Sequence, residues 1–317
     1  MTWHLLAAVA AIAIATPGSA PEAPQPAAVA EQLSPIEILA LEVERYRRVT
    51  VPVTIGANGP YRFMIDTGAQ ATVLSRALAD RLQLNQRDTA VLVGMASRRA
   101  VETTEIPDFG LGSRRFHVQT AALVEGSNIG GADGIIGLDS LQGQRVLLDF
   151  DKMEIAVADA EALGGNRGFD IIVRARAALG QLIITDARID GIPVSVVVDT
   201  GAQGSIGNPA LLARLRRSRD LGDNAVTDIN GQSMSGAVKL ASSLEIGRGR
   251  LNNFAIMFAD SPTFHALDLA DKPALMLGMS ELRVFRRVAI DFESRRVLFD
   301  LPQGAAWAGR RFSSLSN

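Results

Sequence analysis

The most constraining feature of this 317-residue sequence is an internal repeat. An apolar run in the first half ends in Asp66-Thr-Gly-Ala-Gln70, and one in the second half ends in Asp199-Thr-Gly-Ala-Gln203. A helix start follows each motif, with Ser75 or Asn208 as the N-cap that satisfies free backbone N–H groups. Because such an ordered series recurs over roughly a hundred residues, it predicts two similar lobes.

Further elements repeat in the same order. Ile135-Ile136-Gly137-Leu138 in the first half corresponds to Met276-Leu277-Gly278-Met279 in the second. Short apolar, β-branched runs separated by Gly, Asn and Asp lie between these landmarks, and the chain has 29 glycines. Short apolar runs separated by these residues are typical of strands joined by tight turns. The prediction is a mostly β fold with one short helix per lobe.

Composition excludes several classes of function. The chain is 47% hydrophobic and 21% charged, which is typical of a globular protein, and its net charge of −2 gives no reason to expect nucleic-acid binding. There are no cysteines, so disulfides and thiolate catalysis are excluded. The three histidines lack metal-ligand spacing. We therefore expect neither a metal nor a cofactor.

The N-terminus indicates export. Residues Trp3 to Ala15 are nearly all apolar but too few to span a bilayer as a helix, and the small residues Gly18, Ser19 and Ala20 follow. This pattern is typical of a secretory signal peptide over residues 1–20. It predicts a secreted or periplasmic protein with no integral membrane span after signal removal.

The remaining boundaries follow changes in pattern. Residues 21–48 are predicted to be a Pro-rich spacer followed by a helix, with Ser34 as N-cap and an apolar stripe at helical spacing. Lobe 1 is assigned to residues 49–160, a Gly-rich linker to 161–170, lobe 2 to 171–302 and a small, polar C-terminal tail to 303–317.

An apolar strand ending in Asp-Thr-Gly-Ala, followed later by two apolar residues and Gly, resembles the retropepsin-like and pepsin-like aspartic proteases. The sequence looks most similar to the bacterial, secreted, retropepsin-like group. Retroviral enzymes carry the motif once and dimerise, whereas this chain carries it twice, as in the bilobal pepsin arrangement. The resemblance implies a pseudo-two-fold acid protease fold whose catalytic unit is a monomer.

The implied chemistry needs two carboxyl groups. Two carboxylates held about 3 Å apart cannot both ionise and therefore share one proton. The charged member can activate a water molecule as a general base, and the protonated member can polarise the scissile carbonyl. Asp66 and Asp199 are the candidates. Because such a pair titrates as a unit, neither role is assigned to one residue.

The flanking residues are predicted to support this pair. Gly68 and Gly201 permit a sharp turn and a close backbone approach, and Ala69 and Ala202 are small enough to leave the cleft open. The resemblance implies that the hydroxyl groups of Thr67 and Thr200 cross-link the two loops. It also implies that Gly137 and Gly278 lie in strands behind the aspartate loops as scaffold.

A β-hairpin flap is expected over the cleft in each lobe. Candidate residues are Gly94, Met95, Ala96 and Ser97 in lobe 1, and Gly231, Gln232, Ser233 and Met234 in lobe 2. Flap backbone would pair with a polypeptide substrate bound as an extended strand.

Three alternatives stay open. Asp149 and Asp291 are a second duplicated pair of acids, but each lies in a strand-turn-strand pattern where solvated acids are common. The chain could also be a non-catalytic peptide-binding module, although both aspartates and both Thr-Gly pairs are intact. In lobe 2, Gly204-Ser-Ile-Gly207 replaces the bulkier Ala71-Thr-Val-Leu74, which affects the cleft wall rather than the aspartate pair. A glycosidase would need its carboxyls at least about 5 Å apart and usually an aromatic sugar platform, but aromatics are only 5% of the chain.

Overall fold

The computed structural model describes residues 5–6, 11–13, 37–40, 42–43, 49–112, 114–216 and 218–302. Strands dominate both halves, which confirms the mostly β, two-lobed prediction. The strands of the first half are β1 (Leu5–Leu6), β2 (Ala11–Ala13), β3 (Glu37–Ala40), β4 (Glu42–Val43), β5 (Val49–Ile55), β6 (Asn58–Ile65), β7 (Val73–Ser75), β8 (Asp88–Val93), β9 (Arg98–Leu111), β10 (Arg114–Val124), β11 (Gly134–Ile136), β12 (Arg145–Asp149) and β13 (Glu154–Ala158).

The second half repeats this pattern with a similar set. Its strands are β14 (Ile171–Ala178), β15 (Gln181–Ile184), β16 (Ala187–Ile189), β17 (Ile192–Pro193), β18 (Ser195–Val198), β19 (Ser205–Gly207), β20 (Arg219–Thr227), β21 (Ser233–Ile246), β22 (Gly249–Phe258), β23 (Ala274–Leu277), β24 (Arg287–Asp291) and β25 (Arg296–Asp300).

The helices are short. They are α1 (Arg76–Arg81), α2 (Pro209–Leu212), α3 (Pro262–Ala266) and α4 (Met279–Leu282), with 3-10 turns at Gly126–Ile129 and Leu138–Ser140. Ser75 and Asn208 cap α1 and α2 by accepting the amides of Leu78 and Leu211, as predicted. Among the described residues, lobe 1 has the single α-helix expected, whereas lobe 2 has three. The third helix of lobe 2, α4, takes the place of the Leu138–Ser140 turn in lobe 1.

Lobe 1 is a small barrel. Its strands follow the order β9-β10-β7-β11-β6-β5, and β5 pairs again with β9 to close the ring. Lobe 2 repeats the key pairings, because β16 pairs with β21 as β5 pairs with β9. In each lobe a short parallel pair, β6 with β11 or β18 with β23, lies at the centre. Asp66 and Asp199 directly follow β6 and β18.

A six-stranded antiparallel sheet joins the lobes. Its order is β14-β25-β24-β12-β13-β3, and the two halves meet where β12 pairs with β24. The largest apolar cluster extends through both lobes and this sheet, and it includes Phe63, Phe109, Val146, Ile290 and Phe299. Such continuous burial favours one rigid body over two independent lobes.

The predicted N-terminal helix is wrong where the structure describes it. Glu37–Ala40 is an edge strand of the central sheet, paired antiparallel with β13, and Glu42–Val43 pairs with β5. Pairing with an exposed strand edge overrides the local helical pattern, since helix propensity is a weak prior. The predicted cap at Ser34, the Pro-rich spacer, the cleavage site at residues 18–20 and the tail at 303–317 lie outside the described residues.

Only two pieces of the predicted signal peptide are described. Leu5–Leu6 pairs in parallel with Val226–Thr227, and Ala11–Ala13 pairs antiparallel with Val91–Val93. No helix among the described residues is long and apolar enough to cross a membrane.

Candidate active site

The two aspartates occupy equivalent positions at the ends of parallel strands. The backbone N–H of Asp66 donates to the carbonyl of Ile136 at 3.1 Å, and that of Asp199 donates to Leu277 at 3.0 Å. Each strand pair therefore delivers its aspartate to the interface between the lobes. Both residues are fully buried.

Each carboxyl group is oriented by its own loop. The Oδ1 atom of Asp66 accepts the amides of Gly68 at 2.8 Å and Ala69 at 3.0 Å. The Oδ1 atom of Asp199 accepts those of Gly201 at 2.9 Å and Ala202 at 3.1 Å. Backbone donors therefore hold the two carboxyls in matching orientations, and no further side chain has to be ordered to supply these hydrogen bonds.

The two loops are in close contact. A Cβ atom added at Gly68 would lie 2.8 Å from both Cγ and Oδ1 of Asp199, so only glycine fits at this position. Burial raises the pKa of Asp199 well above its ordinary value, and the neighbouring charge of Asp66 and a side-chain hydrogen bond with Asp66 raise it further. The amides of Gly201 and Ala202 act in the opposite direction but do not cancel the rise. A buried pair of this kind retains a proton at a pH where a solvated carboxyl would lose it.

The threonines tie the loops together symmetrically. The hydroxyl of Thr67 donates to the carbonyl of Val198 at 2.9 Å and accepts the Thr200 amide at 3.3 Å. The hydroxyl of Thr200 donates to Ile65 at 2.8 Å and accepts the Thr67 amide at 3.0 Å. Four buried hydrogen bonds thus fix the spacing between the two aspartates.

The structure places Gly137 and Gly278 against the backbone of these loops. A Cβ at Gly137 would lie 2.3 Å from the carbonyl carbon of Ala71, and one at Gly278 would lie 2.6 Å from that of Gly204. Neither position has space for a side chain, so the glycines let a second strand pack directly behind each aspartate loop.

Gln181 is a supporting residue that sequence reasoning missed. Its side chain is fully buried, and its Nε2 group donates to the carbonyl of Gly68 in the opposite lobe. The sequence Leu179-Gly180-Gln181 indicates only a turn leading into a strand, and nothing local shows that this amide reaches a loop 113 residues away.

The predicted flap residues lie at the tips of two hairpins. β8 and β9 form the lobe 1 flap, with Gly94–Ser97 as its tip. β20 and β21 form the lobe 2 flap, whose turn is closed by hydrogen bonds between Asp228 and Gln232. Gly231 and Gln232 lie in that turn, whereas Ser233 and Met234 are the first residues of β21.

Each flap tip docks on the opposite lobe. Met95 of the lobe 1 flap is fully buried in a lobe 2 cluster with Met257 and Phe264. Ile229 of the lobe 2 flap is fully buried in a lobe 1 cluster with Met64 and Leu92. Each hairpin tip is therefore anchored by a buried apolar side chain to the opposite lobe.

Asp228 fastens the two tips to each other. Its Oδ2 atom accepts the hydroxyl of Ser97 at 2.6 Å and the amide of Ala96 at 3.2 Å, while its Oδ1 atom accepts amides of its own turn. A Cβ at Gly94 would lie 2.4 Å from the Asp228 carboxyl, so Gly94 makes the space for it. The sequence marks Asp228 only as a turn residue, because its partner lies in the other lobe.

We expect Asp228→Ala to loosen the closed flaps without disturbing either lobe. The change removes the acceptor for Ser97 and Ala96, and also the acceptor for the Asn230 and Gln232 amides in its own turn. Amide hydrogen exchange at the lobe 1 tip should accelerate by at least about tenfold, because that tip loses its two hydrogen bonds to Asp228. Asp223→Ala, an exposed change on β20 just before the turn, is the control. Unchanged exchange at the tip in Asp228→Ala would show that Asp228 does not hold the flaps.

The second duplicated pair of acids does not form a site. In the backbone register Asp149 lies opposite Arg287 and Asp291 lies opposite Arg145, at the two ends of the ladder between β12 and β24. Each caps a turn, since Asp149 accepts the Lys152 amide at 3.0 Å and Asp291 accepts the Ser294 amide at 2.8 Å. Their separation rules out a shared proton.

A comparison with protein families agrees with this geometry. Residues 51–140 and 185–280 each match the family model for aspartyl proteases. The two matches together cover more than half of the chain, so this protein belongs to the aspartyl protease family. No curated protein matched the chain.

Proposed function

We propose that this protein is an endopeptidase that hydrolyses an extended polypeptide with a water molecule activated between Asp66 and Asp199. The observation that carries the proposal is the buried carboxyl pair, built from both halves of one chain, in which the pKa of Asp199 is strongly raised. Both halves of the pair are in one chain, so the catalytic unit is a monomer. The apolar N-terminal run supports export of the enzyme.

The proposed reaction needs one proton on the pair. The charged carboxylate takes a proton from water as the water oxygen attacks the scissile carbonyl carbon. The protonated carboxyl gives its proton to the carbonyl oxygen, which produces a tetrahedral diol. A proton then moves to the amide nitrogen, the C–N bond breaks, and the products are a carboxylic acid and an amine.

The flaps complete the proposed site. Their hairpins carry backbone donors and acceptors that can pair with an extended substrate in the manner of an added strand. Closure also removes water from around the carboxyls, which strengthens the electrostatic interactions within the site. The hydrogen bond between Asp228 and Ser97 has to break before a polypeptide can enter, and it can form again over the bound peptide.

Activity should decline on the alkaline side as the shared proton is lost. The pKa of Asp199 is raised, so we expect the protonated form to persist to a higher pH than in a solvated aspartate, and activity to fall once the pH exceeds that raised pKa. The measurement is kcat/KM as a function of pH on an unfolded protein substrate. Activity that rises steadily with pH would contradict the shared proton.

The assay also separates the alternatives. Cleavage of an unfolded protein supports the endopeptidase, whereas binding of peptides with no cleavage across the pH range would favour a non-catalytic peptide-binding module. Resistance of the activity to a strong chelator is the control against a contaminating metalloprotease.

A further inference from the structure

A cavity of about 260 Å³ opens beside the aspartate loop of lobe 2. One wall is Gln203–Ile206, which directly follows Ala202, whose amide holds Asp199. The lining also includes residues of β20, β21 and β22, together with Glu281 of α4. The cavity is therefore continuous with the loop that positions the dyad.

The cavity exists partly because lobe 2 departs from the repeat. Gly204 stands where lobe 1 has Ala71, and a Cβ at Gly204 would meet no atom within 4 Å. Steric crowding therefore does not require a glycine at this position. The missing side chain leaves this part of the cavity lining open next to the aspartate loop.

Glu281, the acid that lines the cavity, is a second difference between lobe 2 and lobe 1. Thr72 of lobe 1 bonds to Asp139, which accepts both its amide at 2.9 Å and its hydroxyl at 2.8 Å. The equivalent Ser205 of lobe 2 donates its hydroxyl to Glu281, which occupies the position of Ser140. Glu281 is only 7% exposed, and no lysine or arginine lines the cavity among the described residues. Its carboxyl therefore has no cationic partner in the cavity.

We propose that this cavity binds a lysine or arginine side chain of the substrate, and that Glu281 selects it by pairing with its cationic end. The inference rests on the proposed endopeptidase function and names a class of substrate for it. Ile206, Val226 and Met257 give the cavity apolar walls that suit the methylene stem of such a side chain. Glu281, which lines the cavity, can then form a charge-assisted hydrogen bond with an ammonium or guanidinium group.

The state of Glu281 agrees with this assignment. Burial raises its pKa to about 7, against the opposing effect of the Ser205 hydrogen bond. A carboxyl that is buried without a cation is expensive to ionise, and a cation entering the cavity removes that penalty. A neutral side chain of the same length would leave the acid uncompensated.

A peptide-binding experiment tests the proposal without depending on cleavage. The full chain carrying Asp66→Asn serves as the host, so that peptides are not consumed. Eight-residue peptides of alanine and leucine carry a single lysine moved through each position, and a matched series carries norleucine instead. We expect one position at which lysine binds at least about tenfold tighter than norleucine, the scale of one charge-assisted hydrogen bond. Adding Glu281→Gln should abolish this preference.

A charge-matched control variant separates the role of Glu281 from a general effect of removing one negative charge. Glu293→Gln changes the same charge on an exposed turn and should leave the preference intact. Equal binding of the lysine and norleucine series to the host, or no binding of either, overturns the proposal even if Glu281→Gln fails to fold. A preference that survives Glu281→Gln in a folded variant also overturns it. If the lysine preference holds but the wild type cleaves no peptide, the proposed function fails while the cavity assignment stands.

Discussion

Replacing Arg145 with methionine should destabilise the protein by about 3–5 kcal/mol, because it leaves Asp291 as an uncompensated buried charge. The two side chains are 2% and 1% exposed, and Nη2 of Arg145 lies 2.6 Å from Oδ2 of Asp291. They come from β12 of lobe 1 and β24 of lobe 2, at the strand pair where the two lobes join. The loss should therefore appear as an earlier, cooperative unfolding transition of the whole molecule in urea.

The pH dependence of stability gives this prediction a second readout. Burial alone would raise the pKa of Asp291, but hydrogen bonds from Ser294 and Arg145 lower it below its ordinary value. A lowered folded-state pKa contributes stability above the unfolded-state pKa, and that contribution is lost as the pH falls through the folded-state value. In Arg145→Met this contribution should shrink, so the variant should differ most from the wild type near neutral pH and least in acid.

Two further variants show whether the loss of stability comes from breaking the buried ion pair. Arg286→Met breaks an exposed pair with Asp151 on the neighbouring turn and should shift the transition far less. Arg145→Met combined with Asp291→Leu removes both charges and should recover much of the lost stability. An Arg145→Met transition that coincides with that of Arg286→Met would contradict a structural role for the buried pair.

Asp199→Asn should reduce kcat/KM by a factor on the order of 10⁴, because an amide can neither take a proton from water nor share one with Asp66. Its oxygen can still accept the amides of Gly201 and Ala202, so the loop should keep its conformation. A loss of activity would then report the chemistry rather than a misfolded site.

The same substitution should make the protein less sensitive to rising pH. The folded-state pKa of Asp199 is raised, so its contribution to stability is complete below the unfolded-state pKa and is lost as the pH rises through the folded-state value. Asparagine does not titrate, and the variant should therefore be at least as stable as the wild type at neutral pH. Lower stability of Asp199→Asn at neutral pH would mean that the charged carboxyl is stabilised in the fold.

The repeat predicted much of the architecture because its signals are local. A strand that ends at an aspartate, a capping Ser75 or Asn208, and a glycine after two apolar residues are all visible within a few positions of the sequence. Each is a short-range steric or hydrogen-bonding requirement. The two-lobed β fold and the helix starts can therefore be predicted from the sequence alone.

The features that the sequence did not predict depend on distant partners. Gln181 reaches Gly68, and Asp228 reaches Ser97, across more than a hundred residues. The spacing of apolar residues predicts a helix at Glu37–Ala40, but the structure has a strand there because pairing with the edge of β13 decides its conformation. Nothing in the sequence around Glu281 predicts its surroundings, because the packing of α4 against Ser205 places it beside the cavity.

The most direct test of the central claim is the rate at which new amino termini appear when the purified full chain is incubated with an unfolded protein. The wild type, Asp66→Asn and Asp199→Asn are compared at equal concentrations of folded protein and at the pH of maximal activity. Asp149→Asn, from the second duplicated pair, serves as the control. If Asp66 and Asp199 act as one catalytic pair, the wild type and Asp149→Asn will cleave and both dyad variants will be nearly inactive. Cleavage at the wild-type rate by either dyad variant would contradict the claim.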